Sequence, residues 1–164
     1  MLDTGKVLNI ALEYFEHDLK RINHLLKVYG YASTIAAGEG LDEKQRNLIE
    51  ITAILHDVGI KVSEEKYNSS AGKYQEIEGP AIAERLLTGL DIEKDSLERI
   101  KFIIGHHHTY DHVDGIDYQI MIEADFLVNA DEDALSKEAD QKVFEQIFKT
   151  NTGSKLFENL FLFS

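Results

Sequence analysis

Cysteine is absent from the 164-residue sequence, which excludes disulfides and thiolate metal ligands and is compatible with a reducing compartment. Proline occurs once, so little in the chain interrupts helices. No apolar run approaches the roughly 20 residues of a bilayer span. The opening "MLDTGKVLNIALEYFEHDLKR" carries acidic residues early and then turns amphipathic, unlike a signal peptide. Basic residues are scarce: 17 Lys and Arg stand against 30 Asp and Glu, a formal net charge of −13. Such a balance opposes condensation onto a nucleic-acid backbone, which is driven by Lys and Arg displacing counterions. A cytoplasmic protein is expected, with neither nucleic acid polymer nor membrane as partner. An anionic small molecule is still allowed, because a bound cation inverts the field inside a pocket.

What is present suffices for one core. Hydrophobic residues make up 43% of the chain and charged residues 29%, without low-complexity blocks, which describes a single folded domain over residues 1–164. From Val7, the apolar residues Val7, Leu8, Ala11, Leu12, Phe15 and Leu19 recur at helical spacing. A second series, Ile22, Leu25, Leu26, Tyr29, Ala32, Ile35 and Ala36, runs to the "GEG" of residues 38–40, where glycine ends it. "LDEKQRNLIEITAILHDVG" opens on an Asp42 cap with an acidic first turn and closes on Gly59. Residues 61–73, "KVSEEKYNSSAGK", lack a period and read as a loop. Helical spacing returns in "GPAIAERLLTGL", with Pro80 near a first turn, and in "DSLERIKFIIGHHH". After the turn-rich "DHVDGIDYQ" come "IDYQIMIEADFLVNA", "DQKVFEQIFKT" and the apolar tail "GSKLFENLFLFS". No period-two stretch persists. The expected fold is all-α, a compact bundle of about six or seven helices. Leu156, Phe157, Leu160 and Phe161 at helical spacing make the tail either core or a homodimer contact.

Seven histidines, His17, His24, His56, His106, His107, His108 and His112, stand out in this pattern. A lone histidine on an apolar face is more often a hydrogen-bonded structural residue than a ligand. Here, however, several polar residues sit where the local pattern asks for burial. His24 lies inside the second apolar series, His56-Asp57 ends the third, a histidine triplet ends another, and Asp125 falls within "IMIEADFLVNA". Buried carboxylates need a cation or a metal beside them. Histidine nitrogens and carboxylate oxygens converging from different helices form an interior site for one or two divalent transition ions, of the Mn, Fe, Co, Ni or Zn kind. Consecutive helical residues point about 100° apart, so His56 and Asp57 reach one ion only where the helix ends. Gly59 provides that end. A C-terminal cap, with His56 offsetting the helix dipole and Asp57 starting a turn, explains the pair equally well when it is taken alone.

His24, then "HD" at His56-Asp57 followed by Val58-Gly59, then Asp125 on a later helix resembles the H…HD…D signature of the HD-domain superfamily of metal-dependent phosphohydrolases. The resemblance covers residues 21–130 or so. "INHLLKVYGYASTIAAGEGLDEKQRNLIEITAILHDVGI" looks like that family's first helix pair, and "IIGHHHTYDHVDGIDYQIMIEADFLVN" like its last. It implies that His24, His56, Asp57 and Asp125 bind a first metal, with Asp57 bridging to a second in two-metal members. It further implies that His107 and His108 serve the second ion, a register in which His106 is the alternative. Relatives commonly have a histidine shortly before a glycine-alanine pair, where this chain reads "KYQEIEGPAIA" with Gln75 and Glu76. Either Glu76 or Glu78 substitutes, or the site holds one metal. Ile60 stands where relatives commonly have lysine, leaving Lys61, Lys27 and Arg21 as phosphate contacts or solvated charges.

The implied activity is hydrolysis of a phosphate ester of a nucleotide or other small phosphorylated metabolite by metal-activated water. Asp57 would orient the water, and His107 or His108 would donate a proton to the leaving oxygen or hold the phosphate. Substrate choice is expected to rest on residues 62–78 and 110–118. Two rival readings are a non-catalytic metal- and nucleotide-binding regulatory module and a diiron oxygenase-type enzyme.

Overall fold

The computed structural model describes residues 1–162; the last two residues of the apolar tail lie outside the described residues. Nine helices follow in chain order: α1 (Thr4–Phe15), α2 (Leu19–Gly38), α3 (Glu43–Leu55), α4 (Ile60–Tyr67), α5 (Gly72–Leu87), α6 (Lys94–Ile104), α7 (Ile116–Glu132), α8 (Lys137–Ile147) and α9 (Asn151–Phe161), with no strand among the described residues. Their starts are written locally. Asp3, Asp18, Ser136 and Thr150 each cap a helix by accepting from a first-turn N–H, and Asp42 forms a full capping box with Gln45. Gly40, at φ 74°, takes the left-handed turn that follows α2.

The fold is all-α as expected, but two readings need correction. Residues 60–67 form a helix and not a loop. Ser63 N–H and its hydroxyl both bond the Gly59 carbonyl, at 2.9 and 2.8 Å, and Asn68, at φ 51°, ends the element. Eight residues are too few to display a period. Pro80 lies in the interior of α5, because α5 begins at Gly72 through the polar "KYQEIE". The helix over residues 60–67, together with a helical tail, raises the helix count above the expected one.

The core has two lobes joined by α3. Ile49 and Ala53 of α3 pack with Val28 and Ala32 of α2, Met121 and Val128 of α7, and Phe148 and Phe157 from the C-terminal segment. Ile51, Ile54 and Leu55 face the other way, onto Val7 and Ala11 of α1, Ala83 of α5 and Ile104 of α6. Phe157 is in the first lobe and Leu156 and Phe161 pack against it, whereas Leu160 is exposed. Helix α7 is buried along most of its length and carries two buried carboxyls, Glu123 and Asp125. Glu123 accepts from the Thr150 hydroxyl and from Gln119 Nε2, each at 2.8 Å, which ties the start of α9 to α7. Burial pushes its pKa up against those hydrogen bonds.

The lobes meet at the C-terminal end of α3, where Gly59 and Gly79 let the chain approach α5 closely. A Cβ on Gly59 would lie 2.7 Å from the Gln75 carbonyl oxygen and 2.8 Å from Gly79 N, so the chain after His56-Asp57 presses directly on the α5 backbone. Neither neighbour is a side chain that can swing away. Gly59→Ala is therefore expected to lower stability by about 1–3 kcal/mol, read as a lower denaturant midpoint at unchanged slope. An unchanged midpoint would show that α5 does not depend on this contact.

Candidate metal centre

Four segments deliver the polar side chains to one point between the lobes. His24 comes from the second turn of α2, His56 and Asp57 from the end of α3, Asp125 from the middle of α7, and His107 and His108 from the turn after α6. His24 Nε2 lies 3.2 Å from Asp125 Oδ1, 3.3 Å from Asp57 Oδ2 and 3.2 Å from His56 Nε2. His56 Nε2 lies 3.3 Å from Asp57 Oδ2 and 3.5 Å from Asp125 Oδ1. On the far side, His107 Nε2 stands 3.5 Å from Asp57 Oδ1. Asp57 thus turns one oxygen to each half of the cluster.

The outer ring nitrogens explain why the inner ones converge. His56 Nδ1 donates to the Ala53 carbonyl at 2.7 Å and His107 Nδ1 to the Ile104 carbonyl at 2.8 Å. A carbonyl only accepts, so Nδ1 carries the hydrogen and a neutral ring turns its Nε2 lone pair inward. His24 Nδ1 meets Glu132 Oε2 at 2.9 Å, and Lys27 holds the other Glu132 oxygen at 2.9 Å. Hydrogen bonds of this kind on the far nitrogen fix the tautomer and raise the basicity of a metal-ligating imidazole.

The histidine turn is clamped from three sides. Glu76 Oε1 accepts from His108 N–H at 2.9 Å and from the Thr109 hydroxyl at 3.0 Å. The Tyr118 hydroxyl lies between the carbonyls of His106 and Thr109, 2.5 Å from the former. Arg99 of α6 forks onto Asp117 and Asp114 at 2.6–3.0 Å, closing the segment onto the start of α7. Gly72 leaves room for the His108 ring, which a Cβ would approach to 2.6 Å.

Charge is crowded here, and the protonation states show it. Burial disfavours an imidazolium at His24, yet the carboxylates of Asp125 and Asp57 outweigh it and hold its pKa up at about 10. His56 rises for the same balance, with burial opposed by Asp57 and Asp125. Asp57 and Asp125 resist burial in turn and are held below the usual carboxylate range by the surrounding histidines. Burial, reinforced by the charge of His107, pushes His108 down to about 4. Protons on His24 and His56 therefore supply the positive charge that a cation would replace.

The donor set fits a divalent ion. Three groupings, His24–His56–Asp125, His56–Asp57–His107 and His107–His108–Asp125, each offer ligand atoms within 4.8 Å of one another. His107 Nε2, His108 Nε2 and Asp125 Oδ1 are buried with no hydrogen-bond partner among the described residues, despite the close approach of Asp125 Oδ1 to His24. Imidazole nitrogens mixed with carboxylate oxygens suit a transition ion better than Ca²⁺.

A family model described as the HD domain matches residues 21–147. The chain belongs to the HD-domain family. A crystal structure described as a predicted HD superfamily hydrolase from an uncultured Thermotogales bacterium aligns with a TM-score of 0.68 at 26% identity, over 93% of this chain and 82% of that one. No curated protein matches the chain.

In this HD domain the structure gathers His24, His56, Asp57, Asp125, His107 and His108 and leaves other expected residues aside. His106 is exposed, stacked on Phe102 with ring centroids 4.2 Å apart, which removes it from the cluster. Glu76 lies outside the three ligand groupings, and its carboxylate is engaged by the histidine turn. Glu78 bonds Lys66 and Tyr67 at 2.9 and 2.8 Å. Lys27 is committed to Glu132, and Lys61 sits over the Tyr14 ring, 5.5 Å from its centroid. Residues 110–118 border a separate groove, whereas Ser70 and Gln75 reach the cavity above the cluster. Glu132 was not anticipated. Asp125, Asn129 and Glu132 are spaced four and three apart and line the same cavity, so the helical period carried that signal.

These pKa shifts give the metal-free HD domain a defined pH response. His24 has a folded pKa of about 10 against 6.5 when free, so its contribution is fully present below pH 6.5 and fades as pH rises toward 10. The Tm of chelated protein should fall across that window, and the fall should shrink in His24→Gln. A Tm that is flat or rises there in both proteins would contradict this charge balance.

Proposed function

We propose that this HD domain is a metal-dependent phosphohydrolase that cleaves a phosphate ester of a nucleotide or other small phosphorylated metabolite. The observation that carries the reading is a cavity of about 280 Å³ lined by His24, Asp57, His108 and Asp125, with Lys20 and Arg21 from the start of α2 and Glu132 and Asp133 at the end of α7. Such a volume lies near the lower end of small-molecule sites. Two cations beside a cluster that would hold divalent metal suit a ligand with a phosphate at one end. The hydrolase description of the Thermotogales protein supports the same class of reaction. A net charge of −13, and no helix among the described residues long and apolar enough to cross a membrane, favour a diffusible cytoplasmic substrate over nucleic acid polymer or lipid.

His24, His56, Asp57 and Asp125 would hold the first ion, with His107 and His108 serving a second beside Asp57. A divalent ion bound there supplies Lewis acidity, lowering the pKa of water toward neutrality and offsetting charge on a phosphoryl group. Asp57, with an oxygen toward each half, orients the attacking water. Arg21, fixed by Asp18 at 3.0 Å and by Glu64, and exposed Lys20 hold the phosphate. With its pKa near 4, His108 is uncharged at neutral pH and gives a lone pair, not a proton. His107 Nε2, the nitrogen facing Asp57, likewise offers a lone pair, because its Nδ1 hydrogen is held by the Ile104 carbonyl.

A phosphate-release screen over nucleoside monophosphates and sugar phosphates with Mn²⁺, Co²⁺ or Ni²⁺ tests the reading. Turnover should appear with at least one ion, vanish on chelation, and drop at least about 10²-fold in Asp57→Asn. Turnover that survives both chelation and Asp57→Asn would remove the cluster from the reaction.

A further inference from the structure

Gln75 stands near where relatives commonly have a histidine, and its placement resembles that of the histidines around it. It is 6% exposed and lines the same cavity as Asp57, His108 and Asp125. Its Nε2 donates to the Ser70 carbonyl at 2.8 Å, which fixes the amide, while its Oε1 is buried without a hydrogen-bond partner among the described residues. An unpaired buried carbonyl costs about 1–3 kcal/mol. Two other orphaned atoms belong to the same place, His107 Nε2 and His108 Nε2. The Gly59 contact presses on the Gln75 backbone, so the residue is held and not merely nearby.

We propose that Gln75 Oε1 joins His107 Nε2, His108 Nε2 and one oxygen of Asp57 in a second cation subsite, weaker than the subsite of His24, His56, Asp57 and Asp125. The inference rests on reading the cluster as a metal centre and adds a ligand and a ranking to it. The ranking follows from charge. Two carboxylates and two imidazoles match a divalent ion in the first subsite. The second shares Asp57 and otherwise offers neutral donors, one of them a carboxamide oxygen. A carboxamide oxygen in place of an imidazole at position 75 shifts that subsite's preference from Zn²⁺ or Ni²⁺ toward Mn²⁺ or Mg²⁺. The first subsite fills at low ion concentration and the second only when ion is abundant.

Mn²⁺ titration of chelated full-length protein, followed by calorimetry and by electron paramagnetic resonance, reads this without any turnover assay. The wild type should show one tight and one weaker equivalent. Gln75→Leu should lose the weaker equivalent and keep the tight one, and Gln75→Glu, close in shape, should tighten the weaker one by about tenfold, which corresponds to about 1.4 kcal/mol. Gln75→His should shift that equivalent's preference from Mn²⁺ toward Zn²⁺. Weak-site binding that is the same in wild type, Gln75→Leu and Gln75→Glu would overturn the proposal. Gln75→Glu keeps the test decisive where Gln75→Leu does not fold. Two ordered equivalents without phosphate release from any ester would overturn the hydrolase reading and leave this one standing. No Mn²⁺ bound at either subsite would overturn both.

Discussion

Asp57 and Asp125 carry negative charge into a part of the molecule that water barely reaches, and that charge requires a cation. Histidines surround them from three directions, and the far nitrogens of His24, His56 and His107 each have a hydrogen-bonding partner that aims the near nitrogen inward. In the absence of metal, protons on His24 and His56 meet the requirement. The same geometry that makes those protons tightly held makes the site a good competitor for a divalent ion, whose binding releases them.

The rest of the fold maintains this arrangement. Helix α3 joins the two lobes and ends at the site, so packing in both lobes fixes where His56 and Asp57 stand. Helix α7 is anchored by the Glu123–Thr150 contact two residues from Asp125. Arg99, Glu76 and Tyr118 close the turn bearing His107 and His108. Reorganisation at the moment of reaction is costly, and a site held this way needs little of it.

Long elements with strong periods were legible in the sequence. α2, α3 and α7 read clearly because their apolar series run for several turns, and His24, His56, Asp57 and Asp125 were visible as polar breaks in those series. Elements that depend on tertiary support were not legible. α4 is one short helix tied to Gly59, and Pro80 sits inside α5 because the polar first half of that helix packs through Gln75 and Gly79. The "HHH" register could not be settled from order alone. His106 bonds the carbonyl four residues back and His107 the one three residues back, and that turn sends one ring to solvent and the next to the cluster. Glu132 escaped because a carboxylate at a charged helix end looks ordinary until His24 is placed 2.9 Å from it.

The central claim is that one set of side chains, His24, His56, Asp57 and Asp125, holds a metal ion. Anomalous scattering from crystals of Mn²⁺- or Ni²⁺-loaded protein tests it directly. A peak bonded to His24 Nε2, His56 Nε2 and the Asp57 and Asp125 carboxylates is the predicted result. Loaded crystals with no anomalous peak among these four residues, or with the ion held elsewhere, would contradict it.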